Sequence, residues 1–244
     1  MQKTPNVVVV IPALNEERSI GLTLRHIPAG AASAVVVCDN GSNDKTAAIA
    51  AECGAIVVAE PERGYGAACL RGIAEAAKHN PDIIVFMDAD FSDVPQEIPL
   101  VLAPILAGEA ELVIGSRSLG LRAGMVERGA LLPQARFGNW LATSLMRIIW
   151  RARFTDLGPF RAITWRALQR LQMQDRNFGW TVEMQIKALR ANIAYAEVPV
   201  SYKRRVGVSK ITGTLTGTFK AGYKILWTIA RYALQPNAPR KEKS

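Results

Sequence analysis

A chain of 244 residues and 26.6 kDa has room for one sizeable α/β domain or two small ones. With 49% of its residues apolar and 21% charged it can fill a core, which excludes disorder as its main state. The net charge of +9 is unevenly divided: residues 1–112 carry 7 Lys/Arg against 15 Asp/Glu (net −8), and residues 113–244 carry 23 against 6 (net +17). The second half is therefore expected to meet something anionic, whether nucleic acid, lipid headgroups or a phosphorylated substrate. Cys38, Cys53 and Cys69 form no Cys-x-x-Cys pair, which argues against a disulfide framework or a zinc site and fits a reducing compartment. The first residues do not read as a signal peptide, and no 18-residue window is wholly apolar. A cytoplasmic chain without a clear membrane span is expected.

In chain order, short β-branched runs alternate with helical patterns. Strands are predicted over residues 7–13, 35–39, 55–59, 83–88 and 111–115, and helices over 16–27, 44–53, 65–79 and 95–107. The strands are too apolar for a solvated face, so the expected architecture is a mostly parallel sheet covered on both sides. Asp93 is the expected N-cap of the fourth helix, with Pro95 early in its first turn. Residues 116–135 read as a mobile loop, followed by a long helix over 134–151 and a turn-rich segment, TDLGPFR, over 155–161. Helices near 165–171 and 181–191, a strand at 194–202 and the loop KRRVGVSK (203–210) come next. A last helix over 216–234 precedes a frayed polar tail.

In such a sheet, ligands bind beyond the carboxyl ends of the strands. Asp88 and Asp90 end the apolar strand IIVFM, where two carboxylates would repel unless a cation sat between them. Hard oxygen ligands with open positions suit Mg²⁺ or Mn²⁺ bridging to a diphosphate. Helix capping is the plainer reading of these acids; it accounts for Asp93 but not for two acids on an apolar strand. Asp39 follows the second strand, able to accept hydrogen bonds from a base or ribose, or simply ending a strand–turn–helix connection. Pro12, Leu14 and Glu16 follow the first strand in the same way. Arg63 and Gly64 precede a helix, where backbone N–H groups and the guanidinium can approach phosphate.

PALNEE (12–17), DNGSNDKT (39–46), RGYGAA (63–68), DADFSD (88–93) and GSR (115–117), in this order, resemble the donor-binding half of family 2 glycosyltransferases with the GT-A fold. RFGNWLA (136–142), TDLGPFRAI (155–163), FGWTVEMQIKA (178–188) and EVPVSYKRRVGVSKI (197–211) are similar to the dolichyl-phosphate mannose synthase branch, which includes bacterial polyprenyl-phosphate sugar transferases. The resemblance implies a single GT-A domain over 1–212, with a nucleotide-sugar half (1–115) and an acceptor half (116–212). An amphipathic helix (213–234) and a disordered tail (235–244) would follow. It implies that Pro12, Leu14, Glu16, Asp39, Arg63, Gly64, Asp88, Ala89 and Asp90 bind the nucleotide-sugar, with Asp88 and Asp90 at the metal. It places Arg117, Arg136, Arg161, Arg205 and Lys210 toward the acceptor phosphate, and makes Asp90, Arg117 and Arg136 the catalytic set.

The implied reaction moves a hexose from GDP-mannose or UDP-glucose to a polyprenyl phosphate, with inversion. An ionised phosphate needs no general base; a hydroxyl acceptor would need one, and Glu183 or Asp156 are the candidates. Two segments depart from the family pattern: Phe91-Ser92-Asp93 after the acidic pair, and Asp156-Leu-Gly-Pro-Phe-Arg161. In the last helix, Lys220, Lys224 and Arg231 form a basic stripe opposite Phe219, Ile225, Leu226, Ile229, Tyr232 and Ala233, with Tyr223 and Trp227 at the borders. Such a helix suits the membrane interface at the cytoplasmic face, or packs on the core with its basic stripe solvated; a homodimer contact is a further option. A soluble acceptor is the enzymatic alternative. A non-catalytic basic module leaves Asp39, Asp88 and Asp90 unexplained, and no nucleic-acid-binding pattern is present.

Overall fold

The computed structural model describes residues 4–207 and 215–235, with side chains for all of these except residues 215–220. Seven strands form one sheet: β1 (Val7–Ala13), β2 (Ala34–Asp39), β3 (Ile56–Ala59), β4 (Ile83–Phe86), β5 (Leu112–Ser116), β6 (Arg161–Thr164) and β7 (Tyr195–Pro199). Their order is β3-β2-β1-β4-β6-β5-β7. The pairs β1–β2, β1–β4, β2–β3 and β5–β7 are parallel, and β6 runs antiparallel between β4 and β5. The mostly parallel α/β sheet expected from sequence is present. The expected strands recur within a few residues, but β6 begins at the last residue of a segment read as turns. Four residues, one of them Arg161, carry no strand pattern; β6 exists because two apolar strands flank it.

Alternate side chains of each strand enter two cores. Val8, Val10, Cys38, Ile84, Phe86 and Ile114 face one side, and Val9, Ile11, Val37, Val85 and Val113 the other. The first side is covered by α3 (Tyr65–Ala76), α6 (Pro133–Trp150), α7 (Trp165–Leu171), α8 (Trp180–Arg190) and α9 (Leu215–Leu234). On the second lie α1 (Ile20–Arg25), α2 (Thr46–Glu52) and α4 (Ile98–Leu106). Residues 116–135, expected to be a loop, contain the short helix α5 (Arg117–Arg122), where Ser116 Oγ accepts Leu119 N–H at 3.1 Å.

One further expectation changes, and one of the alternatives left open for the last helix is found. Asp93 does not cap a helix: it is fully buried, and its Oδ2 accepts the Asp88 N–H at 3.1 Å. Helix α9 packs on α6 and α8, with Ile229 and Tyr232 buried and Ile225 against the same core. Those apolar side chains are therefore engaged within the domain rather than presented outward, while Tyr223, Leu226, Trp227 and Leu234 are exposed. Among the described residues no helix is long and apolar enough to cross a membrane.

Candidate active site

A cavity of about 380 Å³ opens at the carboxyl ends of β1, β2 and β4. Eight of the nine expected donor residues line it: Pro12, Leu14, Glu16, Arg63, Gly64, Asp88, Ala89 and Asp90. Asp39 does not; both its carboxylate oxygens accept the Ser42 N–H at 3.3 Å, holding its own turn. The neighbouring Asn40 lines the cavity instead and ties three segments together. Its Nδ2 donates to Glu60 O and Glu62 O at 3.0 and 2.7 Å, and its Oδ1 accepts Gly64 N–H at 2.8 Å.

Tyr65, Asn177 and Phe178 also form its wall, and none was given a role from sequence. Asn177 and Phe178 lie on the loop before α8, pressed against the start of α3. A Cβ at Gly64 would collide with Arg176 O, and one at Gly66 with Asp175 O, which is the physical need behind the RGYG motif. Gly66 N–H and Ala67 N–H donate to Asn177 O and Arg176 O at 3.3 and 2.9 Å. Those helix-start amides were expected to face phosphate; they hold the loop instead.

The carboxylates sit where the apolar strand ends. Asp90 Oδ1 accepts the Ser92 N–H at 2.9 Å, and Ser92 Oγ donates to the same oxygen. Tyr65 OH donates to Asp88 Oδ1 at 3.2 Å. Burial, then the Asp90 charge, pushes the Asp88 carboxyl up to about 7, partly offset by the Tyr65 hydrogen bond and by Arg117 and Arg205. Burial and Asp88 push Asp93 well above the usual range, and its Oδ1 is buried without a hydrogen-bond partner among the described residues. Carboxyl oxygens are thus gathered where burial makes their charge costly, a donor set that fits Mg²⁺ or Mn²⁺. No three His, Cys, Asp or Glu side chains among the described residues already converge as a metal cage. A cation here would take further oxygens from a substrate.

Arg205 was expected at the acceptor; the fold brings it to the donor cavity. Backbone bonds from Lys203 N–H to Ser92 O (2.9 Å) and Val206 N–H to Asp90 O (3.0 Å) hold its segment over the acidic loop. Its guanidinium donates to Glu16 Oε1 at 2.7 Å and lies 3.3 Å from Asp90 Oδ2. Phe91 takes φ +61°, with its ring 4.9 Å from that of His26 and under Lys203. Lys210 lies outside the described residues.

A second cavity, of about 570 Å³, lies between α5 and α6 and is lined by Arg117, Arg122, Arg136 and Arg147. Arg117 is held by Asp156: its backbone N–H, Nε and Nη2 donate to the carboxylate at 2.6, 2.9 and 2.7 Å. Burial opposes the guanidinium charge, but Asp156 pushes its pKa well above the usual arginine value. Asp156 is in turn set by Glu197, which accepts the Thr155 and Asp156 N–H groups at 2.9 and 3.1 Å. Among the described residues, no acidic side chain pairs with Arg122, Arg136 or Arg147. The cavity is cationic.

The remaining expectations are corrected by burial. Arg161 is fully buried and donates to Gly158 O, Leu157 O and Thr181 O, so it braces the TDLGPFR turn and lines neither cavity. Burial pulls it down to about 10. Glu183 accepts Asp175 N–H (2.7 Å) and Tyr232 OH (2.9 Å) and pairs with Lys187, away from the donor cavity. With Asp156 committed to Arg117, neither candidate base is poised to take a proton.

The glycosyl transferase family 2 profile matches residues 8–162. An uncharacterised glycosyltransferase of Mycobacterium tuberculosis is 37% identical over 218 residues, covering 88% of this chain and 94% of its own. The undecaprenyl-phosphate mannosyltransferase of Micrococcus luteus is 30% identical over 226 residues, covering 86% and 89%. Among solved structures, glucosyl-3-phosphoglycerate synthase of Mycobacterium tuberculosis, in complex with Mn²⁺, UDP-glucose and phosphoglyceric acid, superposes with a TM-score of 0.74. That match has 23% identity and covers 96% of this chain and 81% of the other. Its fold is shared. With more than half of its length matching the profile and two relatives at or above 30% identity, the chain belongs to glycosyltransferase family 2 and is a hexosyltransferase of GT-A fold.

Proposed function

We propose that this enzyme transfers a hexose from a nucleotide-sugar, GDP-mannose or UDP-glucose, to a polyprenyl phosphate at the cytoplasmic face of a membrane, with inversion. The observation that carries this reading is the four-arginine cavity beside the carboxylate-walled one. An anionic acceptor approaches an anionic donor only if cationic groups neutralise both. The similarity to an undecaprenyl-phosphate mannosyltransferase supports the same acceptor class.

Pro12, Leu14, Glu16 and Asn40 would cradle the nucleoside, and Asp88 and Asp90 would hold Mg²⁺ or Mn²⁺. When bound, such an ion supplies Lewis-acid stabilisation of the leaving diphosphate. Arg117 and Arg136, with Arg122 and Arg147, would receive the acceptor phosphate, Arg117 being the one whose charge also bears on Asp88. A phosphate oxygen then attacks the anomeric carbon as its bond to the diphosphate breaks, and nucleoside diphosphate leaves. No proton need be removed, which agrees with Asp156 and Glu183 being engaged elsewhere.

A second reading keeps the donor site but uses a soluble phosphorylated acceptor. The arginine cavity would fit its phosphate, and the structurally similar synthase was crystallised with phosphoglyceric acid. Labelled GDP-mannose or UDP-glucose, given with undecaprenyl phosphate in detergent micelles or with phosphoglyceric acid, separates the two. Label extracted into organic solvent supports the lipid acceptor. Label found only in a water-soluble product supports the second reading.

A further inference from the structure

Helix α6 is apolar on both of its sides. Ala142 and Met146 turn into the core, while Phe137, Trp140 and Ile148 stand outward at 62%, 60% and 78% exposure. At about 100° per residue these three fall within about 80° of one another, on the side opposite Met146. An outward stripe of large apolar side chains is what water disfavours, and it marks a surface that meets something else.

Helix α9 repeats the arrangement, with Ile229 and Tyr232 inward and Tyr223, Trp227 and Leu234 outward. Met146, Ile229 and Tyr232 belong to one core on one side of the sheet, and α6 packs on α9. Both helices therefore cover the same side of the sheet, each with an apolar side turned away from that core. Arg136 and Arg147 border the α6 stripe and line the cationic cavity, whose wall also includes Trp140.

We infer that the outward side of α6, continued by that of α9, is the surface that docks on an anionic lipid bilayer. The choice of lipid rests on the proposed polyprenyl phosphate acceptor, whose hydrocarbon must stay in the bilayer while its phosphate enters the arginine cavity. Charge complementarity argues the same way. Aromatic and aliphatic side chains bordered by arginines match acyl chains below anionic headgroups, each nearby basic residue adding roughly fivefold to partitioning. The surface also puts the cavity mouth beside the lipid, so the acceptor phosphate need not leave the interface to react.

The test is flotation of the full chain with vesicles of equal parts phosphatidylglycerol and phosphatidylcholine. The wild type is expected to float, and Phe137→Ser/Ile148→Ser to lose about tenfold or more of that partitioning, since each side chain buries substantial apolar area. Neither residue lines the donor or the arginine cavity, so nucleotide binding by calorimetry and transfer in detergent micelles should stay at wild-type levels. Unchanged flotation of the double variant would overturn the assignment, as would a wild type that stays off these vesicles. So would a solution dimer that the double variant dissociates, which makes the face a contact between copies. If lipid-phosphate transfer fails in micelles while the variant still loses flotation, the surface stands and only the acceptor reading falls. If transfer succeeds and flotation is unmoved, the surface is wrong and the acceptor reading stands.

Discussion

Lys224 Nζ lies 3.0 Å from Asp175 Oδ2, so the last helix is pinned to the loop that walls the donor cavity. The other Asp175 oxygen accepts Asn177 N–H and Gly179 N–H at 2.7 and 3.1 Å. One carboxylate thus shapes the loop and ties it to α9. Asp175→Ala should raise the dissociation constant for nucleoside diphosphate by about tenfold, because two loop amides and an ammonium lose their acceptor. Lys224→Ala removes only the partly exposed partner and should raise it no more than about threefold. Calorimetry on both variants checks the order; a larger effect from Lys224→Ala would mean that α9, not the loop's own bonds, sets the loop.

Gly66→Ala should act through the same loop from its other side. The new Cβ would meet Asp175 O, a backbone atom that cannot swing away. Donor binding should weaken by about tenfold or more, while Ala, a good helix former, suits the α3 backbone itself. Nucleotide titrations alongside thermal melts would test this, the expected result being a larger loss in binding than in melting temperature.

The Arg117–Asp156 pair forms part of the wall of the arginine cavity. Side-chain exposure is 18% for Arg117 and 1% for Asp156, so removing the carboxylate leaves a largely buried guanidinium without its counter-charge. Breaking such a pair costs about 3–5 kcal/mol. Asp156→Ala should therefore lower the melting temperature by roughly 10 °C in a chain of this length. Arg117→Lys should keep the charge but lose the fork geometry, and turnover should fall more than stability. Calorimetric melts and transfer assays on the two variants measure these separately.

Glu197 gives a pH signature. Burial raises its carboxyl above the usual value of 4.5, opposed by the Thr155 and Asp156 N–H groups. The folded chain then holds this proton to higher pH than the unfolded chain does. The resulting stability is full below pH 4.5 and is lost as pH rises through the raised folded value. Glu197→Gln, which keeps one acceptor oxygen, should flatten that part of the melting-temperature profile. Melts at intervals from pH 4 to 7 would show it; parallel slopes for the two proteins would refute it.

The legible parts of the site are those written in neighbouring residues. Asp88 and Asp90 stood out because two acids closed an apolar strand, and Glu16 because it followed another. Asn177 and Phe178 carried no such mark: they reach the cavity only because Gly64 and Gly66 let a distant loop approach the start of α3. Asn40 was overlooked beside the more conspicuous charge of Asp39, although an amide can bridge donors and acceptors where a carboxylate can only accept. Arg161 read like a phosphate ligand, since an arginine's type does not disclose whether its stem runs outward or into the core.

The amino-acid sequence by itself determined the alternating α/β order, the apolar strands, the acids at their ends and the family, because each depends on periodicity or on residues close in the chain. The tertiary structure alone decided which arginines meet in a cavity, that Arg205 sits over the donor carboxylates, and that α9 packs through Ile229 and Tyr232 while its other side stays outward. The physical reason is that a long side chain takes its role from the dielectric and partners around its far end. Those partners come from elements a hundred or more residues apart, as Glu16 and Arg205 do.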